Sequence, residues 1–403
     1  MRRIIVCILM ALCLVLSACA GSEFNMVFGS SQDSADASAE GEASTSLGDG
    51  SNASLDGEPI EYETSEKTEY VGETGSDVMY AIEADGEIIS NPWVTVEEDE
   101  TDDEGIRRSV GNEWYDLSVP TWYTYHDGLY FIVDCYHNQI IYNDNMTDPI
   151  HEWKVMDKEL KKPHTIAFDG EVYMVDDTDH NKIIAYKKNV NEDGTFYFER
   201  VQEFVDMGEE PHYIIYREDT ARFYAWSSKS GQMWVFRRSK DSSMIFLDES
   251  YNIPPLKDVY VRSFTFIDDK AYFVSGTNGS CTIFETTTDN FDVLREYPVA
   301  PEIGGMVQLT KIQDYYYITV STSLYGETEL KNIIRTDSLE HLQMGQFESL
   351  YDLFIGTEYP GTPYNITYVD DKWCISVHRD GMGPHIVYFD VVDNEIQDIG
   401  TYY

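Results

Sequence analysis

Basic residues are scarce in this chain: 28 Lys and Arg stand against 73 Asp and Glu in 403 residues. Such a surface repels phosphate backbones and anionic headgroups, so a nucleic-acid partner is not expected. Cations, neutral sugars and peptides stay open, and so does plain solubility as the reason for the charge. Catalytic motifs are absent as well. No Gly-x-Ser-x-Gly, His-Glu-x-x-His or glycine-rich phosphate loop occurs, so the hydrolase, zincin and nucleotide-binding chemistries those motifs serve have nothing to rest on. The N-terminal apolar run, residues 4–16, has 13 members and falls short of the roughly 20 that a membrane span needs.

That run follows Arg2 and Arg3 and ends in small residues, the pattern of an export signal. Leu16-Ser17-Ala18-Cys19 resembles the lipobox of bacterial lipoproteins. The resemblance implies cleavage before Cys19, a diacylglyceryl group on its sulfur, and anchoring on the extracytoplasmic side of the cell membrane. The alternative is an ordinary secretory signal with a chance cysteine. Removing residues 1–18 removes two arginines and no acids, so the mature charge is 26 − 73 = −47. Cysteine poverty follows from the same reading. Cys7 and Cys13 leave with the signal and Cys19 is lipidated, which leaves Cys135, Cys281 and Cys374. Three allow one bridge at most, so the core alone must hold the fold.

Residues 19–57 read as a flexible linker: from 29 to 57 only Leu47 and Leu55 are large and apolar. Such a segment cannot bury enough surface to offset its ordering entropy. As a coil it reaches roughly 35 Å, enough to lift a domain off a membrane. Residues 58–119 read as an acidic hairpin region, with strands near 78–82 and 87–96 about the turn Asp85-Gly86. Seven of the eight residues 97–104 are acids. Their carboxylates suit calcium, but no EF-hand spacing is present, and a solvated loop is the simpler reading. Residues 113–117 look like an outer strand that would close a ring on its last blade.

Residues 120–403 repeat. Residues 163–187 hold a short strand, the turn Asp169-Gly170, a second strand, a polar loop and a third strand. The copy before it has Asp127-Gly128 and then Tyr136-His137-Asn138-Gln139-Ile140-Ile141, matching Asp179-His180-Asn181-Lys182-Ile183-Ile184. One register aligns six copies on Tyr125, Phe168, Tyr216, Phe266, Ile312 and Tyr368, at steps of 43, 48, 50, 46 and 56 residues. A period of about 40–50 residues of short strands predicts an all-β, six-bladed propeller of four-stranded antiparallel blades. The first two copies resemble the NHL repeat through Pro163, Ile166, Ala167, Asp169, Gly170, Val172, Tyr173, Asp176, Asn181, Lys182 and Ile183. The resemblance implies the propeller fold and little about activity, because such propellers include binders and a few enzymes. The balance of 23 bases and 47 acids over residues 120–403 argues against its RNA-binding members.

In this architecture the start of each inner strand lies at one channel mouth. The register places Thr121, His164, His212, Arg262, Gln308 and Tyr364 there. Loops between second and third strands open on the same face and bring His137, Asp179, His180, Lys229, Ser230, Asn278, Tyr325, His378 and Arg379. The expected ligand-binding set is thus Thr121, His164, His212, Arg262, Gln308, Tyr364, His180 and Arg379, a polar ring about a pit. Arg262 beside two histidines suits an anionic group, bound best with the histidines protonated, below about pH 6.5. No cofactor and no metal is expected: two histidines fall short of a three-ligand zinc site, and an arginine is their neighbour. Two function classes remain. One is a surface module binding a peptide, glycan or partner protein. The other is a lyase or hydrolase using His164 or His212 as acid or base, with or without a metal.

Overall fold

The computed structural model describes residues 61–72, 79–82, 88–89, 93–95, 109–240, 242–275, 282–322, 331–379 and 383–403. The signal, Cys19, the 19–57 linker, the Asp85-Gly86 turn, the acids of 97–104, Asn278, Cys281 and Tyr325 lie outside the described residues.

Short strands with apolar side chains on both faces must be covered on both faces, which stacked sheets accomplish. The chain forms six four-stranded antiparallel blades. The first consists of Pro120–His126, Leu129–Asp134, Gln139–Asn143 and Lys154–Asp157, and the second of Ile166–Phe168, Val172–Asp177, Lys182–Val190 and Phe196–Phe204. The third has Pro211–Arg217, Arg222–Ser227, Gln232–Arg238 and Ile245–Asn252, and the fourth Val261–Ile267, Lys270–Ser275, Thr282–Thr286 and Val293–Pro298. The fifth has Gly305–Ile312, Tyr315–Thr322, Asn332–Thr336 and Glu348–Ser349, and the sixth Thr362–Val369, Lys372–His378, Ile386–Val392 and Glu395–Tyr402.

The core is divided among the interfaces between blades. Phe131, Tyr173 and Ile184 fill the first–second interface, and Phe204, Phe223 and Phe236 the second–third. Trp226, Phe264 and Phe273 fill the third–fourth, and Val274, Leu309 and Ile318 the fourth–fifth. Tyr317, Ile375 and Phe389 fill the fifth–sixth. Tyr123, Trp153, Cys374 and Ile386 bring the sixth blade back onto the first. Cys135 and Cys374 are free and buried.

Ring closure differs from the expectation. Residues 113–117 form no strand, and the sixth blade is built wholly from residues 362–402. Polar side chains join it to the first blade instead. Asn365 Nδ2 donates to the Thr121 carbonyl at 2.7 Å, and Thr367 Oγ1 donates to the Tyr123 carbonyl at 2.6 Å. The same device recurs around the channel: Thr121 Oγ1 donates to the His164 carbonyl (2.9 Å), Ile214 N to Thr165 Oγ1 (2.8 Å), and Ser263 Oγ to the Val307 carbonyl (2.7 Å). These bonds satisfy inner-edge backbone groups that a propeller otherwise leaves to water.

The acidic region lies on the rim. Met79–Ile82 pairs with Ile88–Ile89, as the expected hairpin requires, but Trp93–Thr95 pairs with the outer strand of the second blade. Glu66–Gly72 extends the third blade, and Val110–Gly111 the first. Ser65 reaches the fourth blade, where its N–H donates to Asp292 Oδ1 at 2.9 Å. The chain therefore passes backward along four outer edges before entering the first inner strand. An exposed sheet edge invites pairing with other chains, and this strap covers three of them.

Candidate functional site

Five of the six inner strands carry a register shift near their start, four of them by one residue. The ladder skips from Pro120 to Trp122, from Pro211 to Tyr213, from Val261 to Ser263 and from Met306 to Gln308. An extra residue leaves the ladder and its side chain is re-aimed. The extra residues are Thr121, His212, Arg262 and Val307. In the sixth blade the skip from Pro363 to Ile366 frees Tyr364 and Asn365.

His164, His212 and Arg262 meet at this mouth. The two imidazoles stack with centroids 3.6 Å apart and planes 33° from parallel. Asp176 Oδ2 positions His164 by accepting its backbone N–H at 2.8 Å. Thr178 Oγ1 lies 3.0 Å from His164 Nδ1, and Cys135 Sγ lies 3.7 Å from Nε2. His212 is 9% exposed and its Nδ1 has no hydrogen-bond partner among the described residues. Burial pushes its pKa well below the usual histidine value, and the charges of His164 and Arg262 push it the same way. His212 is therefore neutral at physiological pH, which corrects the expectation that it gains a proton near pH 6.5 to bind an anion. The Arg262 guanidinium donates to Ser321 Oγ and lies 5.6 Å from the Tyr260 ring centre.

Seven of the nine described arginines pair with carboxylates. Arg262 and Arg379 pair with none among the described residues. In a chain with 45 excess negative charges, an arginine without a carboxylate partner among the described residues stands out, because a guanidinium pairs well with anionic groups. Three phenols lie near enough to Arg262 to feel its charge. Burial raises the pKa of Tyr136, Tyr260 and Tyr364, and the charge of Arg262 opposes that rise in each. All three hydroxyls stay protonated and able to donate. Tyr136, Tyr260 and Ser321 were missing from the sequence-based set. Tyr136 directly precedes His137 in the repeat, and Tyr260 directly precedes the inner strand that begins at Val261, two residues before Arg262, so a short step along the chain finds both.

The remaining expected residues are placed elsewhere. Thr121 is fully buried and ties the first two blades together. Gln308 lies one step deeper than the register put it. It spans the channel interior, where Nε2 donates to Tyr213 Oη at 3.0 Å and Oε1 accepts the Ile366 N–H at 2.5 Å. His180 turns back to Asp177, whose Oδ2 lies 2.8 Å from Nδ1, and His137 makes the same pairing with Asp134 at 2.6 Å. Trp114 stacks on His137 at 4.0 Å. Arg379 is buried in the sixth blade, donates from Nε to the Pro384 carbonyl at 2.5 Å, and leaves Nη1 without a partner among the described residues. Burial lowers its pKa from the usual arginine value. No group of three His, Cys, Asp or Glu among the described residues converges as a metal site.

No protein-family model and no curated protein matches the chain. Among solved structures, a putative 6-phosphogluconolactonase from Bacteroides uniformis is similar at 11% identity and a TM-score of 0.48, covering 84% of this chain and 97% of that one. A catalytically inactive virginiamycin B lyase from Staphylococcus aureus with quinupristin is similar at 19% identity and a TM-score of 0.44, covering 73% and 87%. The hydrazine synthase of Kuenenia stuttgartiensis is similar at 15% identity and a TM-score of 0.46, covering 68% and 77%.

Proposed function

We propose that the chain is a membrane-anchored extracytoplasmic lipoprotein whose propeller binds a ligand bearing an anionic group at the His164–His212–Arg262 mouth. The observation that carries the binding half is Arg262: it lacks a carboxylate among the described residues, it is fixed by Ser321, and protonated phenols lie near enough to feel its charge. A carboxylate there gains a charge-assisted hydrogen bond from Arg262. Tyrosine hydroxyls and the neutral His212 imidazole supply further hydrogen bonds. A peptide, a uronate-bearing glycan or an acidic partner segment has that chemistry. Arrays of acidic peptides and uronate glycans probed with the purified chain test it. Binding that Arg262→Ala removes supports the reading, and acidic and neutral probes captured equally would oppose it.

The anchoring half rests on Leu16-Ser17-Ala18-Cys19 behind a short apolar run. Among the described residues no helix is long and apolar enough to cross a membrane. Metabolic labelling with a palmitate analogue should mark the wild type and not Cys19→Ala. A lyase or hydrolase is the second reading, and one observation favours it: a buried imidazole held neutral beside an arginine is an available general base. Conversion of an array-positive ligand, lost in His212→Gln with binding retained, would establish it.

A further inference from the structure

Two cavities open at the other mouth, where the inner strands end. One, of about 570 Å³, is lined by Trp122, Phe168, Tyr216, His126, Thr124 and Glu218 among others. Its neighbour, of about 500 Å³, includes Phe264, Phe266, Arg217, Asp219 and again Glu218. His164, His212 and Arg262 line neither. Each cavity has the size of a small-molecule site.

The second cavity is already supplied with a cation. The Arg217 guanidinium lies 4.1 Å from the Phe266 ring centre, and Asp219 Oδ1 accepts its Nε at 3.0 Å. The first has the same ingredients, but its neighbouring cation, Arg238, is taken up by the wall acid Asp169 and lies over none of its rings. Among the described residues no Lys or Arg lies over Trp122, Phe168 or Tyr216. The carboxylate of Glu218 forms no ion pair or hydrogen bond there. Asp169, the other acid of the wall, is occupied: Oδ2 pairs with Arg238 at 2.6 Å and Oδ1 accepts the N–H groups of Glu171 and Val172. His126 adds no charge, because burial pushes its pKa down to about 4 and its Nε2 lies 3.0 Å from Thr124 Oγ1.

We propose that the Trp122–Phe168–Tyr216 cavity binds a small organic ammonium, held on the aromatic faces and countered by Glu218. Ring faces attract a cation electrostatically, and attract an ammonium whose carbon substituents also bury well most strongly. The proposal stands apart from the Arg262 site.

Choline and its neutral carbon isostere 3,3-dimethylbutan-1-ol separate charge from shape. The full chain, labelled with 5-fluorotryptophan, is titrated with each and followed by fluorine resonances, with the Trp122 signal assigned by its loss in Trp122→Phe. Choline should shift that signal saturably. The isostere should bind at least about tenfold more weakly, the worth of a largely desolvated cation–π contact. Glu218→Gln, a change at an exposed position, should weaken choline by about three- to tenfold while the ligand-free spectrum stays as in the wild type. Phe168→Leu should weaken choline more than the isostere. Equal binding of choline and isostere, a choline titration without a Trp122 shift, or full affinity in Glu218→Gln each overturns the proposal.

Discussion

At one mouth of the channel the inner strands begin on bulges, and at the other they end in tight turns. The same six strands thus make two surfaces of opposite chemistry. Where they begin, extra residues leave the ladder, and His212, Arg262 and Tyr364 project at unpaired positions. Where they end, residues of positive φ such as Asp127, Gly170, Asp268 and Asp370 reverse the chain at once. Aromatic residues suit that place, because a pleated, half-buried surface favours them. One mouth therefore collects an unpaired cation and hydroxyls, while the other collects rings and an unpaired carboxylate.

The largest effect should come from the wall the two mouths share. Asn365 and Thr367 close the ring by side-chain bonds to the Thr121 and Tyr123 carbonyls. Replacing both, as Asn365→Ala with Thr367→Val, should cost about 2–4 kcal/mol, since two buried carbonyls lose their partners. Urea unfolding measures it. Binding at both mouths should weaken together, and a loss confined to one would mean that the mouths are built independently.

Next comes the contrast itself. Arg262→Ala should weaken an anionic ligand by about ten- to a hundredfold, the worth of a hydrogen bond to a charged group. It should leave the Trp122 cavity unaltered. Titration calorimetry with an array-positive acidic ligand reads the first effect, and choline-induced fluorine shifts read the second.

Acid should act through His126, at the aromatic mouth. Its folded pKa, about 4, lies below the unfolded value of about 6.5. Between those values the unfolded chain binds the proton and the folded chain does not. Stability is therefore complete above pH 6.5 and falls as pH drops toward 4. His126→Gln should remove that part of the acid sensitivity, about 1–2 kcal/mol at pH 5 by thermal or urea unfolding. Identical pH profiles for variant and wild type would place His126 in contact with water. The smallest effect belongs to His180. Its pairing with Asp177 is half-exposed, so His180→Ala should cost less than about 1 kcal/mol and leave anion binding intact.

The fold was legible because its signals are local. Asp127-Gly128 and Asp169-Gly170 mark turns that need positive φ, and the repeated His-Asn pair marks the left-handed caps at Asn138 and Asn181. Both asparagines also accept the N–H that leads into the next blade, from Lys162 and Glu210, which explains their place in the repeat. The fifth blade was misread by one residue. Ile312 was chosen as its anchor, yet Gln313, next in line, is the positive-φ turn residue, while in the first, fourth and sixth blades that residue comes two after the anchor. The turn reads Gln313-Asp314, so its Asp stands one place later than the positive-φ residue, and the slip carried Gln308 from the channel interior to the mouth. The rim strap was illegible for another reason. Edge pairing uses backbone groups that every residue has, so nothing in residues 113–117 distinguished a strand on the sixth blade from the irregular chain observed.

A crystal structure of the chain soaked with glucuronate and choline together tests the two-mouth arrangement most directly. The carboxylate should lie within hydrogen-bonding distance of the Arg262 guanidinium, beside Tyr260 and Tyr364, and the ammonium against Trp122, Phe168 and Tyr216 with Glu218 nearby. Both molecules at one mouth, the two exchanged, or a carboxylate bound away from Arg262 would contradict it.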